Sequence, residues 1–396
     1  MKHLLIVSDL FAPSIGGTET VTDAMATNLP KVGYQTTVVA PAIANKATPY
    51  SEKSPHGYSV ERLRSFSPHL QKNLRFGKRP YKQLVQFIDQ VGQPDIIHAN
   101  NLFPLSRAAM KYAKRHGIPL VIGSHLMPES ITFGLSWFKG LQRGLNKFGW
   151  RYIARVYNQA DMVMSPTNTG IRYLKRNGLS VPTRAISNGI DLRINKPISS
   201  DKQALRKKLG ITADNVLMYA GRLGVEKRID VIITAFAKEY ATFNATLILL
   251  GDGNARKQLR RQVKKLGIEK NVIFTGYVTE HERKREYLAA SDGFVIASPV
   301  ELQSLVTMEA MAVGLPVLAV RAGALPELCQ NDINGFTFAD GNSNQLADRM
   351  FKLLSSEKLR QKFSRASLEI ISHHDISDTW KKYDEMYAEV LEKYKK

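Results

Sequence analysis

The sequence predicts an α/β protein built from two parallel-sheet domains, and three observations carry that expectation. Short apolar runs alternate with stretches of helical period through both halves of the chain, the pattern of strands joined by crossover helices. A length of 396 residues is enough for two cores of ordinary size. Between the halves, residues 193–201 include NKPISSD, with Pro and Ser and no apolar period, which marks the boundary.

The elements follow in chain order. A first strand is read over His3 to Ser8 and runs into DLFAPSIGGTE. Gly16 and Gly17 there can take backbone angles closed to other residues and bring bare N–H groups against a phosphate or sugar oxygen. No G-x-G-x-x-G follows the strand, so this is not the dinucleotide fingerprint. Apolar strands over Asp95 to Ile97 and Pro119 to Gly123 are expected to precede His98, read as structural, and His125 in GSHLMPES. Asn188-Gly189-Ile190-Asp191 reads as a turn.

In the second half, Val216 to Ala220 reads as a buried strand broken by Gly221, with a helical pattern from Val225 onward. Arg222 and Lys227 then fall between a strand end and a helix start, where an α/β fold binds anions. A forked guanidinium and a point-charge ammonium there can share a diphosphate. Leu247 to Gly251 with Asp252-Gly253 reads as a strand and turn, and Asn271 to Gly276 as a strand leading to Tyr277-Val278. Thr279 and Glu282 have the spacing of a capping box.

Gly293 to Pro299 reads as a short buried strand and Leu305 to Val313 as a helix ending at Gly314, with Glu301 in the connecting loop and Glu309 on the helix. At a helical rise of about 1.5 Å per residue, eight positions span roughly 12 Å, about the length of a sugar joined through a diphosphate to a nucleoside. Two carboxylates so separated can accept hydroxyl hydrogen bonds at both ends of such a molecule. Residues 377–396 carry Trp380, Tyr383, Met386, Tyr387, Val390 and Leu391 at helical spacing.

Charge is unevenly placed within the net +21: residues 1–200 hold 26 Lys+Arg against 10 Asp+Glu, and residues 201–396 hold 30 against 25. Two stretches of the first half, FSPHLQKNLRFGKRPYKQL and SWFKGLQRGLNKFGWRYIAR, mix cations with Leu, Phe, Trp and Tyr. Lysine and arginine attract an anionic lipid surface by about 1 kcal/mol each, and aromatic side chains enter the interface. Lys72, Arg75, Lys78, Arg79, Lys139, Arg143 and Lys147 are the candidate membrane-binding residues. A basic patch with aromatics also suits nucleic acid, but no RNA- or DNA-binding motif is present, and none is expected as a partner. The lone Cys329 excludes an internal disulfide and fits a reducing compartment. No signal peptide is visible and no apolar run approaches the ~18 residues that span a bilayer, so the expectation is a cytoplasmic protein, peripheral on the inner face of the cell membrane.

The ordered set of Gly16-Gly17, His125, Arg222, Lys227 and the pair Glu301 and Glu309, followed by Met311-Ala312-Val313-Gly314-Leu315-Pro316-Val317, resembles the retaining glycosyltransferases of family four. The usual members carry Phe-Gly where this chain has Gln303-Ser304; the Gln is similar to bacterial glycolipid synthases, whereas Ser is a departure. The resemblance implies the GT-B architecture, two Rossmann-like domains facing a central cleft. Residues 1–195 would be the acceptor-binding, membrane-facing domain, 196–376 the nucleotide-sugar domain, and 377–396 a helix crossing back to the first. It implies that Glu301 holds the transferred sugar, Glu309 the ribose, and Arg222 and Lys227 the diphosphate. His125 would orient the sugar. Gly16, Gly17, Gly253, Tyr277, Val278, Ser304, Leu305 and Val306 would complete the donor site.

The implied reaction moves a hexose with retention, by front-face displacement, to a membrane lipid such as diacylglycerol. UDP-glucose is the first-choice donor by analogy. No cofactor and no metal is expected, since there is no Asp-x-Asp to chelate one with a diphosphate. A soluble or polyprenyl-linked acceptor in polysaccharide synthesis, a sugar-nucleotide epimerase, and a non-catalytic basic module for membranes or RNA stay open.

Overall fold

The computed structural model describes residues 1–14, 16–43, 48–67, 75–135, 138–198 and 201–395. It divides into two compact units, Met1–Asn188 with Ser377–Lys396, and Gly189–Ile376.

The first unit contains β1 (Lys2–Ser8), β2 (Tyr34–Pro41), β3 (Tyr50–Lys53), β4 (Ser59–Leu63), β5 (Ser65–Phe66), β6 (Phe76–Gly77), β7 (Ile96–Asn100), β8 (Leu120–Gly123), β9 (Met162–Ser165) and β10 (Thr183–Ala185). Its eight-stranded sheet is ordered β10-β9-β8-β7-β1-β2-β4-β3. All neighbours pair in parallel except the edge strand β3, which runs antiparallel to β4. β5 and β6 form a separate antiparallel ribbon. Leu4 to Ser8 are completely buried, as a strand covered on both faces must be. β7 runs on through His98 to Asn100, so His98 lies inside a buried strand rather than after it.

The helix Ile376–Glu392 closes this unit. Trp380, Tyr383, Met386, Tyr387 and Val390 are buried, one stripe of a helix with period 3.6. Tyr34 Oη donates to Asp384 Oδ1 at 2.9 Å, Thr379 Oγ1 to Ser187 O at 3.1 Å, and Arg184 pairs with Glu385 and Glu389. Tyr387 lies 2.8 Å from His98 Nδ1.

The second unit holds β11 (Asn215–Ala220), β12 (Ala245–Leu250), β13 (Val272–Gly276), β14 (Gly293–Ile296), β15 (Val317–Val320) and β16 (Gly335–Phe338). Its six strands are all parallel and ordered β13-β12-β11-β14-β15-β16. In order of appearance that is 3-2-1-4-5-6, the doubly wound arrangement, whose connections run in opposite directions from β11 and β14 and leave a crevice at their carboxyl ends. Cys329 follows the short helix Leu325–Leu328, fully buried, its thiol donating to Val317 O at 3.3 Å and its pKa pushed up to about 12 by burial. It is a packing group.

Candidate active site

The two loops leaving β11 and β14 are neighbours because their strands pair. After β11, Gly221 takes φ +137°, which an L side chain rarely adopts. The helix expected from Val225 is interrupted: Val225–Lys227 is one 3-10 turn, Arg228 sits at φ 51°, and the helix proper is Ile229–Glu239. Arg228 is held in that left-handed break by Asp230 and Asp340, at 3.3 and 3.4 Å. Lys227 Nζ then lies 2.6 Å from Glu301 Oε1, a half-buried pair joining the two loops. Arg222 is exposed and pairs with Glu226 at 2.7 Å.

Glu301 is anchored from the loop after β15. Its carbonyl accepts from Ala324 N at 2.8 Å, and a Cβ on Gly323 would stand 2.5 Å from that same oxygen. Only glycine permits so close an approach. Ser304, where the family has Gly, is no obstacle: its φ is −93° and its hydroxyl accepts from Thr307 N at 3.3 Å, capping the helix Leu305–Ala312. Met308 N goes to Ser304 O, so among the described residues the N–H groups of Leu305 and Val306 are the donors left for an outside acceptor, while their side chains pack on the core.

Glu309 lies on this helix. Its Oε1 accepts from Lys284 Nζ at 2.6 Å, and its Oε2 is buried without a partner among the described residues. Because the helix begins only at Leu305, the eight-residue step from Glu301 is not a continuous helical rise, and the 12 Å estimate built on one does not apply.

The turn after β12 packs against the turn after β11. A Cβ on Gly251 would fall 2.0 Å from Gly221 O, and one on Gly253 2.5 Å from Leu223 O, so both glycines press these loops together. Tyr277 is exposed and Val278 half-buried beyond β13. The expected capping box does not form: the helix His281–Ala289 has Glu280 at its N-cap with no side-chain cap, and Glu282 pairs with Arg285.

In the first unit, Gly16 and Gly17 open the helix Gly17–Asn28. Gly16 has extended angles, φ −173° and ψ 176°, which do not require glycine. A Cβ on Gly16 would stand 2.5 Å from Glu19 Oε2, the movable end of a flexible side chain, and Gly17 faces open space, so neither position demands glycine for room. Asp9 caps the helix Pro104–His116, accepting from Leu105 N at 3.0 Å and Ser106 N at 2.9 Å.

His125 follows β8. Its N–H donates to Asn101 Oδ1 at 2.9 Å, with Asn101 at φ 65°. Burial holds the His125 pKa down to about 4. His98 is held to about 3, by burial first and His125 second, against the opposing influence of Asn100. A Cβ on Gly123 would stand 2.5 Å from Asn100 Oδ1, 2.8 Å from His98 Nε2 and 3.1 Å from His125 Nε2. Three buried polar atoms thus converge where the sequence has no side chain.

The helix Lys139–Tyr157 contains no acidic residue. Phe138, Leu141, Leu145, Phe148 and Tyr152 recur along it at alternating steps of three and four and are all exposed, Phe148 to 70%; they are not core. Arg143, Lys147 and Arg151 are exposed on the same helix, while Trp150, Ile153, Ala154 and Tyr157 are buried. Of the other basic set, Lys78 and Arg79 are exposed, Arg75 donates to Ser65 Oγ at 2.9 Å, and Lys72 lies outside the described residues, as do Trp137 and the Lys139 side chain.

Reasoning from sequence missed Lys284, Gly323, Gly123 and Asn100, each of which acts through a contact distant in the chain. The one local signal is Gly123, two positions before His125.

Two family models match the chain, "Glycosyltransferase Family 4" over residues 15–194 and "Glycosyl transferases group 1" over residues 201–369. The sulfoquinovosyl transferase SQD2 of Arabidopsis thaliana is 28% identical over 85% of this chain and 64% of its own length. The N-acetyl-alpha-D-glucosaminyl L-malate synthase of Bacillus anthracis is 27% identical over 96% of this chain and 95% of its own. The alpha-monoglucosyldiacylglycerol synthase of Streptococcus pneumoniae is 27% identical over 79% and 70% respectively. Among solved structures, HepE of Anabaena in complex with UDP superposes with a TM-score of 0.78 at 23% identity, covering 98% of this chain and 100% of that one.

The protein is a glycosyltransferase with the two Rossmann-like domains of the GT-B fold. It belongs to glycosyltransferase family 4, whose members transfer sugar with retention from a nucleotide-sugar donor, and it is related to several bacterial glycolipid-forming transferases.

Proposed function

We propose that this enzyme transfers a hexose, with UDP-glucose as first-choice donor, to a membrane lipid such as diacylglycerol. The observation that carries the donor site is the Lys227–Glu301 pair, 2.6 Å long, at the switch point between β11 and β14, the crevice where such sheets take nucleotides. Solved relatives of the same fold hold UDP and UDP-glucose, which favours the base.

On this reading, incoming diphosphate draws Lys227 and Arg222, and the N–H groups of Leu305 and Val306 add fixed dipoles. Glu301 accepts hydroxyl hydrogens of the sugar, Glu309 those of the ribose, and His125 orients the sugar. Tyr277 and Val278 lie against the base, and Gly253 keeps its loop clear of side chains. Gly16 and Gly17 contribute backbone N–H groups to donor binding. The bond from the sugar's anomeric carbon to phosphate breaks while the acceptor oxygen bonds to the same face, and the acceptor's proton passes to the departing phosphate oxygen. Arg222 and Lys227 offset the charge that develops; no metal is invoked, and chelators are expected to leave turnover intact.

The carboxylates should separate in a binding measurement. Glu309→Ala is expected to weaken free UDP by roughly tenfold or more, because a hydrogen bond to a charged group contributes about 1.5–3 kcal/mol. Glu301→Ala should leave UDP affinity nearly intact and depress transfer. Equal loss of UDP affinity in calorimetry of both variants contradicts this division.

The lipid acceptor draws on the exposed apolar stripe of helix Lys139–Tyr157 flanked by Arg143, Lys147 and Arg151, an interfacial pattern. A groove of about 960 Å³ in the same unit, lined by Lys82, Arg107, Lys111, Lys114 and Arg115, adds cations. Among the described residues no helix is long and apolar enough to cross a membrane, so attachment at the inner face would be peripheral. Binding to vesicles should rise with anionic lipid and fall with salt, as charges are screened beyond about 10 Å. Reversing Lys139, Arg143 and Lys147, or Lys72, Arg75, Lys78 and Arg79, to Glu should release the protein without altering UDP affinity. Unchanged vesicle binding in both sets removes the support for a lipid acceptor. The malate synthase relative favours a second reading, a small soluble acceptor, and product analysis on lipid and soluble acceptors separates the two.

A further inference from the structure

The polar atoms around Gly123 belong to a chain of hydrogen bonds whose direction can be followed from one end. The Thr22 hydroxyl donates to Thr18 O at 2.7 Å, both groups buried. With that proton committed, the Thr22 oxygen is left to accept, and Asn100 Nδ2 donates to it at 2.9 Å. An amide with its nitrogen fixed in this way turns its oxygen to the other side, toward the Nε2 atoms of His98 and His125 about the Gly123 position. An amide oxygen has lone pairs and no proton, so the nitrogens that face it serve it best by carrying theirs.

We propose that Asn100 is a positioning residue for sugar transfer: its amide oxygen accepts Nε2–H from both His98 and His125, fixing His125 with its Nδ1 lone pair available to a hydroxyl of the transferred sugar. This rests on the reading of His125 as the residue that orients the sugar. Both rings are neutral at physiological pH, since burial holds their pKa values to about 3 and about 4, so each has a single N–H and its placement matters.

Two N–H groups on one carbonyl oxygen satisfy all three buried atoms. The alternative, His98 donating to a bare His125 Nε2, leaves Oδ1 sharing one hydrogen with a nitrogen, and a poorly satisfied buried acceptor is destabilising. The far end agrees: with its proton on Nε2, His98 must accept at Nδ1, where Tyr387 Oη lies 2.8 Å away and can donate. The two Nε2 atoms and Oδ1 are buried with no hydrogen-bond partner among the described residues, so each is still to be satisfied, and catalytic contacts of this kind tighten when substrate seats. Asn101 holds the His125 backbone, so neighbouring amides would set the ring's place and its proton.

The test is nuclear magnetic resonance of the full chain carrying isotope-labelled histidine, saturated with UDP-glucose, with the His125 signal identified by its loss in His125→Asn. His125 protonated at Nε2 is the expected result; protonation at Nδ1 overturns the proposal. Asn100→Ala should scramble that pattern and lower kcat by roughly tenfold or more while donor KM changes by less than about twofold. Asn100→Asp, which keeps acceptor oxygens facing the rings, should preserve Nε2 protonation. Thr22→Val frees the amide to turn over and should scramble the pattern partially, without the cavity that Ala leaves. Unchanged spectrum and kcat in both Asn100→Ala and Thr22→Val refutes the role of Asn100. Full turnover in His125→Ala instead removes the sugar-orienting assignment, and the spectrum still decides whether Asn100 sets the tautomer.

Discussion

Replacing Arg222 or Lys227 with Ala is expected to cut turnover by at least ~100-fold, the usual consequence of losing one preorganised donor to developing charge. The two variants disturb similar pairs. Arg222 is 60% exposed but its partner Glu226 is only 16% exposed, and Lys227 neutralises Glu301, which is only 14% exposed. Either loss leaves a largely buried carboxylate without its cation, so a lower melting temperature is expected for both variants, with turnover depressed in both. Steady-state kinetics beside thermal melts read the two effects separately. Near-normal turnover in both variants would mean that the diphosphate is held elsewhere.

The second large effect is on acid stability. His98 and His125 are neutral in the folded chain, with pKa values pushed down to about 3 and about 4, mainly by burial, from 6.5. Between those values and 6.5 the unfolded chain takes up protons that the folded chain refuses. Their stabilising contribution is therefore full above pH 6.5 and lost as the pH falls toward 4. Asp9 acts with opposite sign: burial, against its hydrogen bonds from Ser106 and Leu105, raises its pKa to about 6 from 3.8, so the folded form keeps a proton that the unfolded form releases. Comparison with His98→Gln and His125→Gln isolates the imidazoles from Asp9. The unsubstituted chain should lose stability relative to either variant by up to about 1.4 kcal/mol per pH unit on the acid side. Denaturant melts at pH 7 and pH 5 measure this, and parallel lines for parent and variants would show that neither ring resists protonation.

The layout of strands was legible because parallel strands buried on both faces read as continuous apolar runs, and the motif residues could be assigned to loops because such runs end abruptly. Arg222, Lys227, Glu301 and Glu309 all lie in or next to segments that follow β11 and β14. The helix start at Val225 misled because nothing local in Val-Glu-Lys-Arg announces a left-handed Arg228; the acids that hold it, Asp230 and Asp340, include one more than a hundred residues away. Thr279 failed as a cap because the helix begins at His281, two positions on. Gly16 was read as a backbone requirement, but its angles are extended and the atom a Cβ would meet, Glu19 Oε2, is the end of a flexible side chain. Lys284 and Asn100 carry no motif at all, since a partner brought by folding has no spacing to recognise.

The return of residues 377–396 to the first unit bears on how the chain is made. Synthesis runs from the amino end, so residues 189–376, contiguous in sequence, can complete their core while translation continues. The unit begun first must wait, because Tyr383 and Tyr387, wholly buried within it, emerge only after the whole of the second unit. Until then the surface around Tyr34 and His98 is uncovered, and a nascent chain stalled before Trp380 would expose it to aggregation or chaperones. Order of birth and order of completion are thus reversed between the two units, and the emergence of residues 377–396, rather than that of residues 1–188, is the event that seals the first unit.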